Sequence, residues 1–145
     1  SDLEKVIGLL ENIDSSEISQ ELSGNRSTLL SRNYLKTGEI KKASQELGNS
    51  EGKRGTENFG TALLIEAEIE IKKKSFKTAS RILLRASFLS SIKQKTKTEA
   101  QIRLAEVYLM MNDSANTKKA LDLLDEEKLP TEIKERYMKV ESSLR

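Results

Sequence analysis

The stretch "LIEAEIEIK" (Leu64–Lys72) can be read two ways, and the choice decides the fold. Apolar and charged residues alternate along it almost perfectly, as in a half-buried strand. Wound at 100° per residue, the same residues give two apolar stripes. One carries Leu64, Ala67 and Ile71; the other carries Ala62, Ile65 and Ile69, while Glu66 and Glu70 share a polar face. Two stripes suit a helix buried between neighbours on both sides. Glutamate, alanine and lysine favour helix, and a strand here would have no partner strand in the chain. The spacing therefore predicts a helix, and with it an all-α protein.

The flanking sequence extends that prediction. Leu3, Val6, Ile7, Leu10 and Ile13 have helical spacing, with Ser1 and Glu4 as a capping box. Asp14 and Glu17 repeat the signature for a segment carrying Ile18 and Leu22. Gly24-Asn25 interrupts it, and the pattern resumes at Leu29, Leu30, Tyr34 and Leu35. One helix or two fits residues 15–36. Gly38 ends this region, and a short helix with Ile40, Ala43 and Leu47 follows. Thr96 and Glu99 form a further capping box ahead of Ala100, Leu104, Ala105, Tyr108 and Met111. "NDSANT" (112–117) reads as a turn, Ala120, Leu121, Leu123 and Leu124 as the next helix. Pro130-Thr131 opens a last one with Ile133, Tyr137, Val140 and Leu144 in a stripe.

Composition narrows the function. The 145 residues fit one domain. Cysteine and histidine are absent, which excludes disulfides, thiolate nucleophiles, imidazole acid–base chemistry and the usual zinc ligands. No enzymatic site, metal or cofactor is expected. The absence of cysteine fits an intracellular compartment, cytoplasmic or nuclear. No apolar run reaches the roughly 18 residues of a membrane span. The first residues carry acids without a basic flank, unlike a signal peptide, and begin without methionine, as a piece of a longer chain would.

"GNSEGKRGTENFG" (48–60) holds Gly52-Lys53, the dipeptide of a phosphate-binding loop. The motif fails in three ways. Gly48 and Gly52 stand one residue too close, Arg54 replaces the magnesium-binding hydroxyl, and no hydrophobic strand precedes it. The stretch reads as a flexible connection with Lys53 and Arg54 exposed.

"LLSRNYLKTGEIKKASQEL" (29–47) resembles a tetratricopeptide repeat, with Leu30, small Ser31, Tyr34, Gly38, Ala43 and Leu47 at that family's spacing. A second copy places Ala67, Phe76, Ala79 and Leu83 at matching positions, with Glu70 where tyrosine is expected. A third matches at Leu104, Ala105, Tyr108 and Asn112, then runs about three residues long before Ala120. The resemblance covers 25–127. It implies antiparallel helical hairpins stacked as a right-handed α-solenoid: N-terminal helices (1–24), repeats at 25–47, 61–92 and 96–127, the 48–60 loop, and a terminal helix (131–145) that caps the array or opens a further repeat. That helix could also mediate self-association. The implied function is a non-enzymatic protein–protein interaction scaffold, part of a multiprotein complex, with a concave groove lined by the first helices. The family's clamp for acidic chaperone tails would fall on Thr28 and Arg32, Leu64 and Glu68, Ile102 and Glu106. Only Arg32 suits it, with Lys36 one turn beyond.

Charge is strongly polarised. Lys72 to Thr98 contains no acid and nine cations; the chain totals +2, so the rest carries −7. Lys74, Lys77, Arg81 and Arg85 lie at helical spacing. With Arg32 and Lys36 they are the candidate partner-binding residues, suited to an acidic protein segment. The alternative is a polyanion such as RNA, DNA or a phosphopeptide on the basic middle repeat. Against nucleic acid, Phe76 and Phe88 fit core positions rather than base-stacking ones.

Overall fold

The structure, a computed structural model, describes residues 1–14, 19–51 and 58–145. Its elements are α1 (Asp2–Glu11), α2 (Gln20–Lys36), α3 (Ile40–Ser50), α4 (Phe59–Lys72), α5 (Phe76–Phe88), α6 (Gln94–Met110), α7 (Ser114–Asp122), a 3-10 turn (Glu126–Lys128) and α8 (Thr131–Ser143). There is no strand among the described residues, and none of their helices is long and apolar enough to cross a membrane.

The alternating stretch is helical, for the reason its two stripes suggest. Leu63, Ala67 and Ile71 belong to one buried cluster, with α5 to α8; Ile65 and Ile69 belong to another, with Ile7, Leu30, Tyr34 and Ala43. α4 is thus walled by apolar packing on two sides, while Glu66 is exposed. An amphipathic helix with one core face would show a single stripe. Burial on both sides mimics strand alternation.

Helix pairs pack in sequence: α2 on α3, α4 on α5, α5 on α6 and α6 on α7, while α2, α4, α6 and α8 also touch in succession. Small residues set the close approaches. Ser31 and Ala43 are fully buried, and the Ser31 hydroxyl donates to the Ala43 carbonyl at 2.6 Å. Ala67 with Ala79 and Ala105 with Ala120 are buried in the next two hairpins.

The three hairpins turn alike. Gly38, Lys74 and Asn112 have φ of +83°, +62° and +57°. The following amides, of Glu39, Ser75 and Asp113, donate to the carbonyls of Tyr34, Glu70 and Tyr108 at 2.8, 2.8 and 3.0 Å. This is the Schellman closure, which needs a left-handed residue after the helix. Only the first hairpin supplies glycine there.

The Ser1–Glu4 capping box forms. The Asp14–Glu17 box rests on Glu17, which lies outside the described residues; α2 starts after Ser19, whose hydroxyl accepts from the Leu22 amide at 3.2 Å. α2 runs unbroken through Gly24-Asn25. The expected Thr96–Glu99 box does not cap: α6 begins three residues earlier, at Gln94 after Lys93. "NDSANT" is a turn only at its start, because Asp113 accepts from the Asn116 amide at 3.1 Å and initiates α7 at Ser114. Gly48 and Gly60 lie in α3 and α4, while Gly52, Lys53, Arg54 and Gly55 fall outside the described residues.

Candidate functional site

The side formed by α2, α4 and α6 carries a cavity of about 490 Å³. Helical spacing of three and four residues brings its walls together. α2 contributes Arg32, Leu35 and Lys36; α4 contributes Leu64, Glu68 and Lys72; α6 contributes Glu99 and Arg103. A second cavity of about 620 Å³ shares Leu64 and Glu99 and reaches Thr131 and Ile133 of α8. The two adjoin at these residues and together make up a trough beside α2, α4, α6 and α8.

Its α6 wall is a ladder of ion pairs. Arg103 donates from Nε and Nη2 to the two oxygens of Glu68, at 2.5 and 3.0 Å, and from Nη1 to Glu106 at 3.2 Å. Arg136 of α8 donates to Glu99 at 2.6 Å and to Glu106 through Nε at 2.8 Å and through Nη2. Burial alone would lower the pKa of both guanidiniums. The hydrogen bonds and charges of Glu68 at Arg103, and of Glu99 and Glu106 at Arg136, more than offset that and raise it. Two guanidiniums against three carboxylates leave this wall one negative charge, but all three of its acids are ion-paired.

The α2 and α4 cations are not. Among the described residues, Arg32, Lys36 and Lys72 are exposed and have no carboxylate within ion-pair distance. They surround Leu35 and Leu64, so this part of the trough offers positive charge beside apolar surface.

Two of the expected groove positions are elsewhere. Thr28 is buried, its hydroxyl donating to the Gly24 carbonyl at 2.9 Å, and Ile102 is fully buried. The packing of α6 turns Ile102 into the core and leaves Glu99 and Arg103 along the trough, with Glu106 paired to Arg103. Lys72 and Arg103 are additions. Lys72 stands one turn beyond Glu68, a signal the sequence held; Arg103 needs the α4–α6 register.

The other cations are apart from this trough. Lys77, Arg81 and Arg85 are exposed on α5, which lines neither cavity, and Lys74 sits in the preceding turn. No carboxylate pairs with these four among the described residues; Lys73, beside them, lies 3.7 Å from Glu70. The Arg85 guanidinium stands 5.5 Å from the centre of the Phe59 ring. Phe76 packs against the core, but Phe88 does not: it is 66% exposed, the reverse of its expected place. Ala86 and Ser87 in the same turn are buried, so Phe88 lies on the outward face of α5. Among the described residues, no group of three or more acids is placed to hold a metal ion.

Comparison with protein-family models, curated proteins and solved structures found no significant match to this chain. The likeness to tetratricopeptide repeats rests on residue spacing in 25–127.

Proposed function

We propose that the chain is a non-enzymatic docking scaffold of tetratricopeptide type, a stacked right-handed solenoid of helical hairpins serving a larger intracellular assembly, cytoplasmic or nuclear. Its groove receives an extended acidic segment of a partner protein. The observation that carries this reading is the trio Arg32, Lys36 and Lys72, exposed around Leu35 and Leu64 without acidic partners among the described residues. Peptides rich in acids and aliphatics satisfy both features, and charge complementarity selects their sign. The repeated Schellman turns and buried small pairs support the repeat reading. The absence of histidine and cysteine supports a binding rather than a catalytic role.

The test is fluorescence anisotropy with a labelled extended peptide of alternating glutamate and valine, beside its lysine counterpart. The acidic peptide binds, and the triple variant Arg32→Glu, Lys36→Glu, Lys72→Glu weakens it by about tenfold or more. Equal binding of both peptides, or no effect of the triple variant, would sink the reading. The unpaired cations of α5 favour a second anionic partner at a separate surface.

A further inference from the structure

α5 turns an unusual face to solvent. At 100° per residue, Lys77, Arg81, Leu84, Arg85 and Phe88 fall within an arc of about 100°. Ala79, Leu83 and Ala86, on the opposite side, are fully buried. Leu84 is 40% exposed and Phe88 66%. A solvated helix face needs no large apolar groups, and isolated ones carry no message. Here two stand in line with three cations, none of them ion-paired among the described residues, although the Arg85 guanidinium also lies over the Phe59 ring in a cavity that Glu66 and Glu70 help to line. The stripe runs from Lys77 to Phe88, about 16 Å at 1.5 Å per residue, the length of three helical turns.

We propose that this face of α5 docks an acidic amphipathic helix of a partner protein, with Leu84 and Phe88 as apolar anchors and Lys77, Arg81 and Arg85 as the charge frame. The stripe has the spacing of a helix–helix seam, and its composition is the complement of leucines flanked by glutamates. A nucleic acid is the poorer fit. Phosphates satisfy the three cations but give Leu84 nothing to pack on. A lipid surface is also poorer, because the broad apolar side of α5 is committed to the core. This surface is separate from the groove and does not depend on its reading.

The experiment uses the whole chain and a synthetic peptide of about four turns, with leucine at heptad a and d positions, glutamate flanking them, and alanine and glutamine elsewhere. A control peptide has the same composition with its leucines scrambled. Anisotropy at physiological salt should show the ordered peptide binding about tenfold more tightly than the scrambled one. Phe88→Ala weakens it about fivefold, and Arg81→Glu with Arg85→Glu by more, while restoring affinity for a lysine version of the peptide. All three positions are exposed, so these variants fold; circular dichroism checks it. Arg32→Glu with Lys36→Glu leaves this binding unchanged, which separates it from the groove. The proposal is overturned if the scrambled peptide binds equally well, if Phe88→Ala has no effect, or if poly(U) RNA or phosphatidylserine vesicles outcompete the ordered peptide. Salt-sensitive self-association abolished by the α5 variants would overturn it too, assigning the face to a second copy.

Discussion

Arg103 of α6 grips both carboxylate oxygens of Glu68 on α4, joining two first helices that lie 35 residues apart in the chain. Both side chains are about three-quarters buried, between the weak exposed pair and the costly fully buried one. Arg103→Ala should destabilise the fold by about 2 kcal/mol and Glu68→Gln by about 1 kcal/mol. A double-mutant cycle in urea should give a coupling of about 1 kcal/mol. Strict additivity would mean that the pair contributes nothing of its own.

Lys74 adopts a left-handed conformation that glycine adopts without strain. Lys74→Gly should raise stability by about 1 kcal/mol, since the relieved strain exceeds the added unfolded-chain entropy. Gly38→Ala, at the equivalent turn, should lower it by about the same amount. Thermal melts of the two variants should move in opposite directions.

Helical glycines offer a contrast. A Cβ at Gly48 meets nothing within 4 Å, so Gly48→Ala should stabilise α3 by about 0.5 kcal/mol. At Gly60 it would lie 2.9 Å from a Thr96 methyl and 3.0 Å from one of Ile92, at the approach of α4 to the α6 entrance. Gly60→Val should destabilise by about 2 kcal/mol. Equal denaturation midpoints for the two variants would contradict this packing.

Tyr34 predicts an alkaline signature. Burial, then the hydrogen bond to Glu11, hold its phenol up at about 12; the hydroxyl donates to Oε1 at 2.6 Å. Because the folded value exceeds the unfolded one of about 10, the stabilisation is full below pH 10 and is lost as pH rises through 12. Ultraviolet titration should show a phenol ionising near 12. Tyr34→Phe should remove that phase and cost about 1 kcal/mol at neutral pH.

Asp113 predicts the acid side. The Asn116 amide, then its side chain, hold the carboxyl below its ordinary value. Its contribution is present above the unfolded value and is lost as pH falls through the folded one. In Asp113→Asn, stability should depend less on pH below about 4. An unchanged acid limb would remove Asp113 as the cause.

The helices were legible because each carries its own signal. Two stripes on one helix resolved the alternation at Leu64–Lys72, and Ser1 with Glu4 marked a true start. Thr96 with Glu99 misled because a capping pattern can equally sit inside a helix already begun at Gln94. The groove was legible at Arg32 and Lys36 but not at Arg103, whose partner Glu68 is fixed by the register of α4 against α6. Phe88 was read as core by its residue type; its exposure depends on which face of α5 packs, since Ala86 and Ser87 of the same turn are buried. Local pattern carries element type, whereas side-chain destinations need the packing between elements.

α4 is the shared wall of both apolar clusters, and this has a kinetic meaning. Melting α1 to α3 would bare Ile65 and Ile69, while melting α5 to α8 would bare Leu63, Ala67 and Ile71. Neither half can open without exposing one flank of the same helix. Amides of α4 should therefore exchange with deuterium only through whole-molecule opening, as the slowest set in the chain.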